Sequence, residues 1–496
     1  MVTKMKELSL EELVSLCKRR GIIFPNSEIY GSYAGFFDWG PIGVELRKNI
    51  VDYWWDFFVR SRDDVFGMYG SIIMHPKVWE ASGHVERFID WLVECKSCHS
   101  RFKAEEVLEA AGIKVSDYSP ENLQRLIIEN NVKCPVCGGE LSEIRKFNLM
   151  LETYIGAVKS EENIAYLRPE TAQGMFVNFK LFTVYARNQL PFGIAQIGKV
   201  FRNEISPRNF IFRCREFEIA EIEYFIDPEK ENDCPFFKEV EGITVKIWTK
   251  EMQKNDQEPK EMSIGDAYNE GVFSNQWHAY WVGKSLEWLM DIGLNIEHLR
   301  AREHLETELS HYSIQTFDIE YYFPFLGWKE IEGIANRTNY DLRRHAEFSG
   351  EKLYITMDGK KIMPHVIEPS WGVERVVLAV LTEAYSKAED RVVLKLVPKI
   401  APYKVGVYPL LRREPFIQKA REVYNMLKRR FACFLDISGS IGRRYARADE
   451  IGVPFGITID HQTLEDNTVT IRFRDSKEQI RVRIGELVEE LNKLLS

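Results

Sequence analysis

Two apolar runs separated by one polar break constrain the fold of this 496-residue chain more than any other stretch. Residues 198–225 read GKVFRNEISPRNFIFRCREFEIAEIEYF, and Asn, Ser and Pro fill the break at residues 203–209. These residue types favour a loop, so the pattern predicts two antiparallel strands joined by a long connection. Strand alternation would place Phe217, Ile219 and Glu221 on one face.

Charged residues occur in these runs where a plain core strand would be apolar. Arginines that converge with carboxylates over a sheet suit a phosphorylated ligand that also carries an amine. A salt-bridged, solvated hairpin is the alternative, and charge alternation alone favours it. The charged residues are Arg202, Glu204, Arg213, Arg215, Glu216, Glu218, Glu221 and Glu223.

The strings FRNEISPR and FRCREFEIAEIE closely resemble motif 2 of the class II aminoacyl-tRNA synthetases, in the form found in dimeric glycyl-tRNA synthetases of archaeal and eukaryotic type. The resemblance implies that Arg202 holds an α-phosphate, that Glu204 accepts from the adenine amino group, and that Phe217 stacks beneath the adenine. Each role suits its residue. The arginine guanidinium is a planar fork that matches a phosphate, the glutamate carboxylate accepts from an amine, and the phenylalanine ring offers a face for stacking.

Two further strings extend the resemblance. RPETAQG is a glycyl-tRNA synthetase signature in which Glu170 faces the amino-acid pocket, although alone it would suggest a carboxylate at a helix N-terminus. HVIEPSWGVERVV resembles motif 3, which implies that Arg375 meets the γ-phosphate rather than forming a buried helix ion pair.

In GWKEIEGIA, alternation predicts that Glu330 and Glu332 share one strand face, where carboxylates suit magnesium. The family places Glu330 and Ile331 beside ATP, so Glu330 is the expected magnesium ligand and Glu332 a lesser candidate.

The resemblance implies a complete set of site residues. Catalysis is expected to depend on Arg202, Arg375 and Glu330. The expected ATP-binding residues are Arg202, Asn203, Glu204, Phe212, Arg213, Arg215, Glu216, Phe217, Glu330, Ile331, Gly372 and Arg375. The expected glycine-binding residues are Arg101, Glu170, Phe217, Glu218, Ile219, Ala220, Glu221, Glu368, Pro369, Ser370 and Gly372.

Four of the eight cysteines form two CxxC knuckles. Four thiolates at this spacing predict a closed, structural zinc site of the ribbon type. Disulfides are the alternative, which a cytosolic setting disfavours. The expected zinc ligands are Cys95, Cys98, Cys134 and Cys137.

Composition is that of an ordinary globular protein, with 45% hydrophobic and 28% charged residues. No apolar run approaches membrane-spanning length and no apolar signal core stands at the N-terminus, so we expect a cytoplasmic protein without a membrane partner. The net charge is −9, yet residues 401–496 carry 17 Lys and Arg against 13 Asp and Glu. A mildly basic C-terminal piece is consistent with local RNA contact.

These patterns together predict an α+β fold. An antiparallel-sheet class II catalytic domain is expected over residues 1–400, with a zinc-ribbon-like insertion at 93–147 and a second insertion at 228–310. Strands alternate with helices over residues 401–496, which predicts a small α/β unit resembling an anticodon-binding domain.

Several cations are candidate RNA contacts, with solvated surface charge as the alternative. Arg300, Arg302 and His304 would lie near the tRNA acceptor end, or would be solvated charges on a helix. In the C-terminal unit the candidates are Arg412, Arg413, Arg443, Arg444 and Arg447.

The resemblance implies a homodimer that activates glycine with ATP and magnesium to glycyl-adenylate and then transfers glycine to the 3′ end of tRNA(Gly). Two other hypotheses are a different class II synthetase, such as the seryl or prolyl enzyme, and a non-catalytic accessory subunit on the same fold. RPETAQG, EIAEIE and EPSWG count against the first. The retained Arg202, Glu330 and Arg375 count against the second.

Overall fold

A computed structural model describes residues 8–115, 117–388 and 391–495. Its mixture of helices and mainly antiparallel sheets confirms the predicted α+β class. Within the described residues, none of the helices is both long and apolar enough to cross a membrane. The helices are α1 (Leu10–Arg19), α2 (Pro41–Trp55), α3 (Pro76–Ser82), α4 (His84–Arg87), α5 (Ala104–Ala110), α6 (Pro120–Glu129), α7 (Ala172–Val177), α8 (Phe179–Tyr185), α9 (Lys250–Lys254), α10 (Ile264–Asn269), α11 (Gln276–Asp291), α12 (Tyr340–Ser349), α13 (Val373–Ala384), α14 (Phe416–Leu427), α15 (Ile441–Glu450), α16 (His461–Asp466) and α17 (Leu487–Leu495).

A nine-stranded sheet forms the body of the molecule. Its order is β13 (Lys260–Ser263), β12 (Thr244–Trp248), β14 (Leu299–Glu303), β15 (Gln315–Phe323), β16 (Gly327–Thr338), β19 (His365–Gly372), β11 (Glu216–Ile226), β10 (Phe192–Phe201) and β3 (Val65–Met68). The sheet is antiparallel except where β12 meets β14 and where β10 meets β3.

The small sheets connect or flank this body. They are β1 (Ile23–Pro25) with β2 (Phe37–Trp39); β4 (Ile73–Met74), β9 (Ile164–Leu167) and β8 (Leu151–Tyr154); β6 (Arg101–Lys103), β5 (Ile89–Glu94) and β7 (Arg145–Asn148); β17 (Ile355–Met357) with β18 (Lys360–Ile362); and β20 (Tyr385–Ala388) with β21 (Arg391–Leu394).

The predicted antiparallel pair lies near one end of the nine-stranded sheet, where β10 separates β11 from the end strand β3. Strands β10 and β11 pair from Phe192 with Phe225 to Phe201 with Glu216. One face of the sheet, called here the helix face, is covered by α2, α11 and α13. Aromatic rings fill this layer, with the ring centroids of Trp54 and Trp371 5.4 Å apart. Because apolar residues take most positions on this face, alternation sends most charged residues of the same strands to the other face, which we call the site face.

Helices α7, α8 and α12 cover one end of the site face. Phe176 and Phe179 from the helices pack with Phe192 and Phe225 from the sheet. This apolar layer closes the pocket at that end and leaves it open toward residues 202–217.

One cross-strand row runs over the site face and locates the pocket. Its members are register neighbours on six successive strands, and they are Arg302, Asp318, Gly333, Ser370, Glu221 and Gln196.

The segment proposed as a second insertion, residues 228–310, has no sheet of its own, since β12, β13 and β14 extend the main sheet. Arg300, Arg302 and His304 lie on or just after strand β14, so the expectation of solvated helix charges was wrong. Each has an acidic partner instead. Arg300 pairs with Glu320, Arg302 donates to Glu308 at 2.7 Å, and His304 Nε2 lies 2.8 Å from Asp318.

Residues from Val405 onward form a unit with a separate hydrophobic core. Its sheet order is β23 (Cys433–Leu435), β22 (Val405–Pro409), β24 (Phe455–Ile459), β25 (Thr468–Phe473) and β26 (Gln479–Arg483). Strand β22 is parallel to both neighbours, as expected where helices connect the strands, and α14 and α17 pack into the core.

Candidate active site

A pocket opens on the site face at the ends of β11, β16 and β19. Motif residues that lie far apart in the chain meet here because the register brings these three strands side by side. The lining includes Arg202, Glu204, Phe212, Arg213, Phe217, Ile219, Glu330, Ser370, Gly372 and Arg375.

Arg202 is held against aromatic rings. Its Cζ lies 5.3 Å from the ring centroid of Phe217 and 5.5 Å from that of Phe88. Its Nε donates to the carbonyl of Pro169 at 3.2 Å. One edge of the guanidinium is thus fixed by the backbone, and its remaining N–H groups suit an anionic ligand.

Glu330 and Arg375 form an ion pair at the pocket mouth, with Oε2 and Nη1 2.9 Å apart. Arg375 also lies over the ring of Phe212, 4.7 Å from its centroid. Desolvation raises the pKa of Glu330, but Arg375 outweighs it and holds the pKa below its usual value. The carboxylate is therefore ionised at neutral pH.

A β-bulge overturns the expectation that Glu330 and Glu332 share a face. Ile319 pairs with Glu332, whereas the next residue, Glu320, pairs with Glu330. The extra residue, Ile331, is buried in the core and shifts the alternation by one. Glu332 accordingly lies on the helix face, where Ser285 of α11 donates to it. It is not available to a ligand in the pocket.

The loop between β10 and β11 is fixed from both sides. Arg215 donates to the carbonyl oxygens of Glu204 at 3.0 Å and Ala34 at 3.1 Å. Arg213 Nη1 donates to Glu106 of α5 at 2.7 Å. The cysteine-bearing insertion therefore contacts the loop directly. Of the other residues expected at ATP, Glu216 pairs with Lys199 at 3.1 Å, and Asn203 is held through its backbone N–H by Leu149.

Behind the pocket, Glu221 forms the first part of an acidic pit. Its Oε2 accepts from the backbone N–H of Thr171 at 2.8 Å and from the Thr171 hydroxyl. Its Oε1 accepts from the hydroxyl of Ser370 at 2.9 Å. The carboxylate is buried and oriented by partners from two elements.

Glu170 forms the second part of the pit. Burial alone would raise the pKa of Glu170, but His84, 3.2 Å away, and Arg337, 3.8 Å away, together hold it well below the usual value. The side-chain amide of Gln173 donates to Glu170 at 2.9 Å. Glu170 therefore lies before the start of α7 but serves as a buried, ionised wall rather than a solvated helix-terminal charge.

Glu368 completes the pit, and Arg337 supports it. The fully buried Arg337 donates to Glu368 at 2.7 Å and forks onto Asp341 at 2.8 and 2.9 Å. Burial raises the pKa of Glu368 to about 8, with Glu221 and Glu170 adding to the shift and Arg337 opposing it.

The structure does not bring four expected glycine contacts to the pit. The side chain of Glu218 points to the helix face and pairs with Arg47 of α2, and Ala220 packs in the same core. Arg101 lies in the insertion, where it is exposed and pairs with Glu94 at 2.9 Å. Pro369 lies in β19 between the pit residues Glu368 and Ser370, and its own alternation takes it to the other face.

Several residues that support the pit were not predicted from the sequence. Thr171 and Gln173 carried a signal, since both stand in the RPETAQG string beside Glu170. Arg337 carried a weaker signal, since it is a charged residue near the end of strand β16, which is otherwise buried there. His84 and Asp341 had none, because their proximity depends on the packing of α4 and α12 against the sheet.

The four patterned cysteines converge on one point, and their ligand atoms all lie within 4.8 Å of one another. The Sγ atoms of Cys95 and Cys137 are 3.5 Å apart, and those of Cys98 and Cys134 are 3.7 Å apart. These separations exceed a disulfide bond but suit the edges of a tetrahedron of thiolates around zinc.

The arginines of the C-terminal unit divide into two kinds. Arg444 is buried and donates to the carbonyl oxygens of Pro409, Gly439 and two neighbours, so it shapes a loop and is not exposed to RNA. Arg447 pairs with Asp436. Arg412, Arg413 and Arg443 are exposed.

Two family profiles match this chain. Residues 156–385 match the profile described as tRNA synthetase class II core domain (G, H, P, S and T), and residues 404–494 match the profile described as Anticodon binding domain.

Proteins named Glycine–tRNA ligase are similar over the full length. That of Thermobifida fusca is 43% identical over 506 residues, with 99% of each chain covered. That of Geobacillus thermodenitrificans is 44% identical over 502 residues, with 98% of each chain covered. Among solved structures, prolyl-tRNA synthetase from Cryptosporidium parvum complexed with halofuginone and AMPPNP has a TM-score of 0.58 at 15% identity, over all of this chain and 80% of that one. This last likeness shows a shared fold.

Proposed function

The chain belongs to the glycine–tRNA ligases of class II, and we propose that it activates glycine with ATP in the site-face pocket and then transfers glycine to the 3′ end of tRNA(Gly). The observation that carries this proposal is the adjacency of two subsites on one sheet face. Arg202, Glu330 and Arg375 form a mouth suited to a triphosphate, and the buried Glu170 and Glu221 form a pit suited to a small ammonium.

The first step needs no strong base. A glycine carboxylate oxygen attacks the α-phosphorus of ATP, the bond to the bridging oxygen breaks, and pyrophosphate leaves with its electron pair. Arg202 would stabilise charge on the α-phosphate and Arg375 charge on the γ-phosphate. Rate enhancement then comes from positioning and charge neutralisation. In the second step a hydroxyl of the terminal ribose of tRNA takes the glycyl group and releases AMP.

Magnesium fits the oxygen donors at the mouth. Glu330 is ionised and partly exposed. Its carboxylate would hold the ion, which when bound offsets phosphate charge. The cysteine cluster fits zinc, which would stabilise the fold of the insertion at residues 93–147.

Selectivity for glycine follows from the walls of the pit. Glu170, Glu221 and the Ser370 hydroxyl offer acceptors for an ammonium group. Their mutual hydrogen bonds and buried supports leave them little freedom to move aside for a side chain, so alanine and serine would be rejected by steric clash.

A second copy of this chain is the proposed partner at the edge of the main sheet. Strand β3 is an end strand, and its Phe66 lies beside Tyr185 of α8, with ring centroids 6.4 Å apart. Four apolar residues of α7 and α8 are 40–68% exposed beside this edge and form what we call the apolar stripe: Val177, Leu181, Val184 and Tyr185. A homodimer would cover both the edge and the stripe.

Sedimentation of Leu181→Asp tests the dimer, with Ile128→Asp, an exposed apolar position in the insertion, as the control. We expect the first to sediment as a monomer and the second as a dimer. Equal behaviour of the two variants would contradict this interface. The family further supports a cytoplasmic location.

Glycine-dependent ATP–pyrophosphate exchange tests the main proposal, with alanine and serine as competing substrates. We expect exchange with glycine alone, and a loss of at least about 100-fold in Arg202→Ala. Exchange with another amino acid would overturn the specificity. Its absence in a folded, zinc-loaded dimer would favour a non-catalytic accessory subunit.

A further inference from the structure

Glu223 is a buried carboxyl group with no hydrogen-bond partner among the described residues. Its side chain is 0% exposed, and neither oxygen is satisfied. Glu223 stands two residues beyond Glu221 on the site face of β11. The register that pairs Glu221 with Ser370 places Glu223 opposite Glu368. Because an unsatisfied buried carboxyl costs free energy, its presence beside the pit requires an explanation.

The pit holds more acids than it can ionise. Carboxyl groups buried together without water repel one another, so some must hold protons. Burial first, and Glu368 second, raise the pKa of Glu223 well above its usual value. The acids of this cluster are Glu170, Glu221, Glu223, Glu368 and Asp341, and the facing basic side chains are Arg337 and His84.

We infer that the acid pair Glu223–Glu368 holds one proton while the pit is empty and releases it to solvent when the ammonium group of the substrate enters. The inference rests on the proposed function, because it takes glycine as the ligand. One O–H bond of the pair breaks, its electrons stay on the carboxylate, and the proton leaves as the ammonium cation arrives. The net charge of the cluster is then unchanged.

The surroundings of Glu223 favour such an exchange. The charged groups that face it are Glu221 on its own strand, Glu368 on β19, Arg337 on β16 and Asp341 on α12. Arg337 already donates hydrogen bonds to Asp341 and Glu368. An arriving cation is therefore the group that can replace the proton.

One released proton gives a definite pH dependence. Glycine affinity should rise about tenfold per pH unit over the range in which the pair is protonated, and this rise should stop once the pair is ionised.

Titration calorimetry with glycine in buffers of different ionisation enthalpy counts the released protons. At pH 7 we expect a value near one for the unaltered chain and near zero for Glu223→Gln, whose amide resembles the neutral acid but cannot release a proton. Glu332→Gln is the matched control, a buried acid on the helix face, and should still release one proton.

Glycine binding without proton release, or with equal release in Glu223→Gln, would overturn this inference alone. Absence of both glycine-dependent heat and pyrophosphate exchange would overturn the proposed function and this inference with it. If Glu223→Gln does not fold, the pH dependence of glycine affinity in the unaltered chain tests the inference. A glycine affinity that does not change between pH 6 and 8 would contradict the proton exchange.

Discussion

Glu330 and Glu332 stand two residues apart on β16 and face opposite sides of the sheet, because the bulge at Ile331 interrupts the alternation. Glu330 reaches Arg375 at the pocket mouth, and Glu332 is sealed beneath α11. Two acids of one short motif thus have different environments, so variants of Glu330 and Glu332 distinguish a ligand-binding role from a structural one.

Glu330→Gln should raise the magnesium concentration needed for half-maximal pyrophosphate exchange, and should lower kcat by about 10- to 100-fold, because it removes an ionised oxygen ligand. Exchange assays over a magnesium series measure both effects. Glu332→Gln should leave the magnesium requirement unchanged, since burial raises the pKa of Glu332 well above its usual value and an amide resembles the neutral acid. An equal shift in the two variants would contradict the assignment of Glu330.

Cys134→Ser should abolish bound zinc and lower exchange by about 10-fold or more, mainly through the KM for ATP. The reason is the contact between the insertion and the loop that joins β10 to β11, since Glu106 accepts from Arg213 at 2.7 Å and pairs with Arg208 at 2.9 Å. Metal analysis and exchange kinetics on the same sample check both effects.

Glu106→Gln is the control that separates the loss of zinc from the loss of the contact between Glu106 and Arg213. It should keep zinc and reproduce part of the rise in the KM for ATP. Cys433→Ala, at a buried thiol outside the cluster, should keep both zinc and kinetics. Normal ATP kinetics in zinc-free Cys134→Ser would show that the loop does not depend on the insertion.

His278 on α11 should make the fold sensitive to acid. Burial lowers the pKa of His278 to about 4, and its neutral ring bridges the Ile334 carbonyl and the Ser274 hydroxyl at 3.0 Å each. Because the folded-state pKa lies below the ordinary value of about 6.5, stability is complete above that value and is lost as pH falls toward 4. This group alone should cost about 2 kcal/mol between pH 7.5 and pH 5.

Urea unfolding followed by tryptophan fluorescence at pH 7.5 and pH 5 measures this loss. His278→Gln keeps a donor for the Ile334 carbonyl and removes the titration, so its loss should be smaller by about 2 kcal/mol. Identical pH sensitivity of the two proteins would show that another group governs acid unfolding.

Arg443 and Arg444 are neighbours with opposite roles. Arg443→Ala should weaken tRNA binding severalfold and reduce the salt dependence of the affinity by about one unit of slope, since it removes an exposed cation. Arg444→Ala should destabilise the C-terminal unit by about 2–4 kcal/mol, because it leaves buried carbonyl oxygens without donors. Binding titrations in a salt series and thermal unfolding give the two readouts. A stable Arg444→Ala with weakened binding would reverse this assignment.

Much of the architecture was predictable because it is local in the chain. The strand pair β10–β11 follows from alternation and a polar break within residues 198–225, and the cysteine cluster follows from two CxxC knuckles. The α/β character of the C-terminal unit follows from strands alternating with helices. Each of these depends on spacing that a single stretch displays.

Glu332 and Arg300 were wrongly placed from the sequence for the same physical reason. Alternation assigned Glu332 to the pocket, but the bulge at Ile331 reversed it. The polar composition around Arg300 suggested a solvated helix, whereas β14 pairs with β15 and matches Arg300 with Glu320. Register between distant strands decides such pairs, and no local pattern contains it.

The sequence by itself determined which residues are candidates for the proposed chemistry, since the motif strings that hold Arg202, Glu330 and Arg375 bring the required charges in recognisable order. The tertiary structure decided which of the buried acids are ionised and which hold protons. Burial of Glu223 opposite Glu368 depends on the pairing of β11 with β19, and the ionisation of Glu170 depends on His84 from another element. Protonation follows from desolvation and from neighbouring charges, which exist only once distant segments pack together.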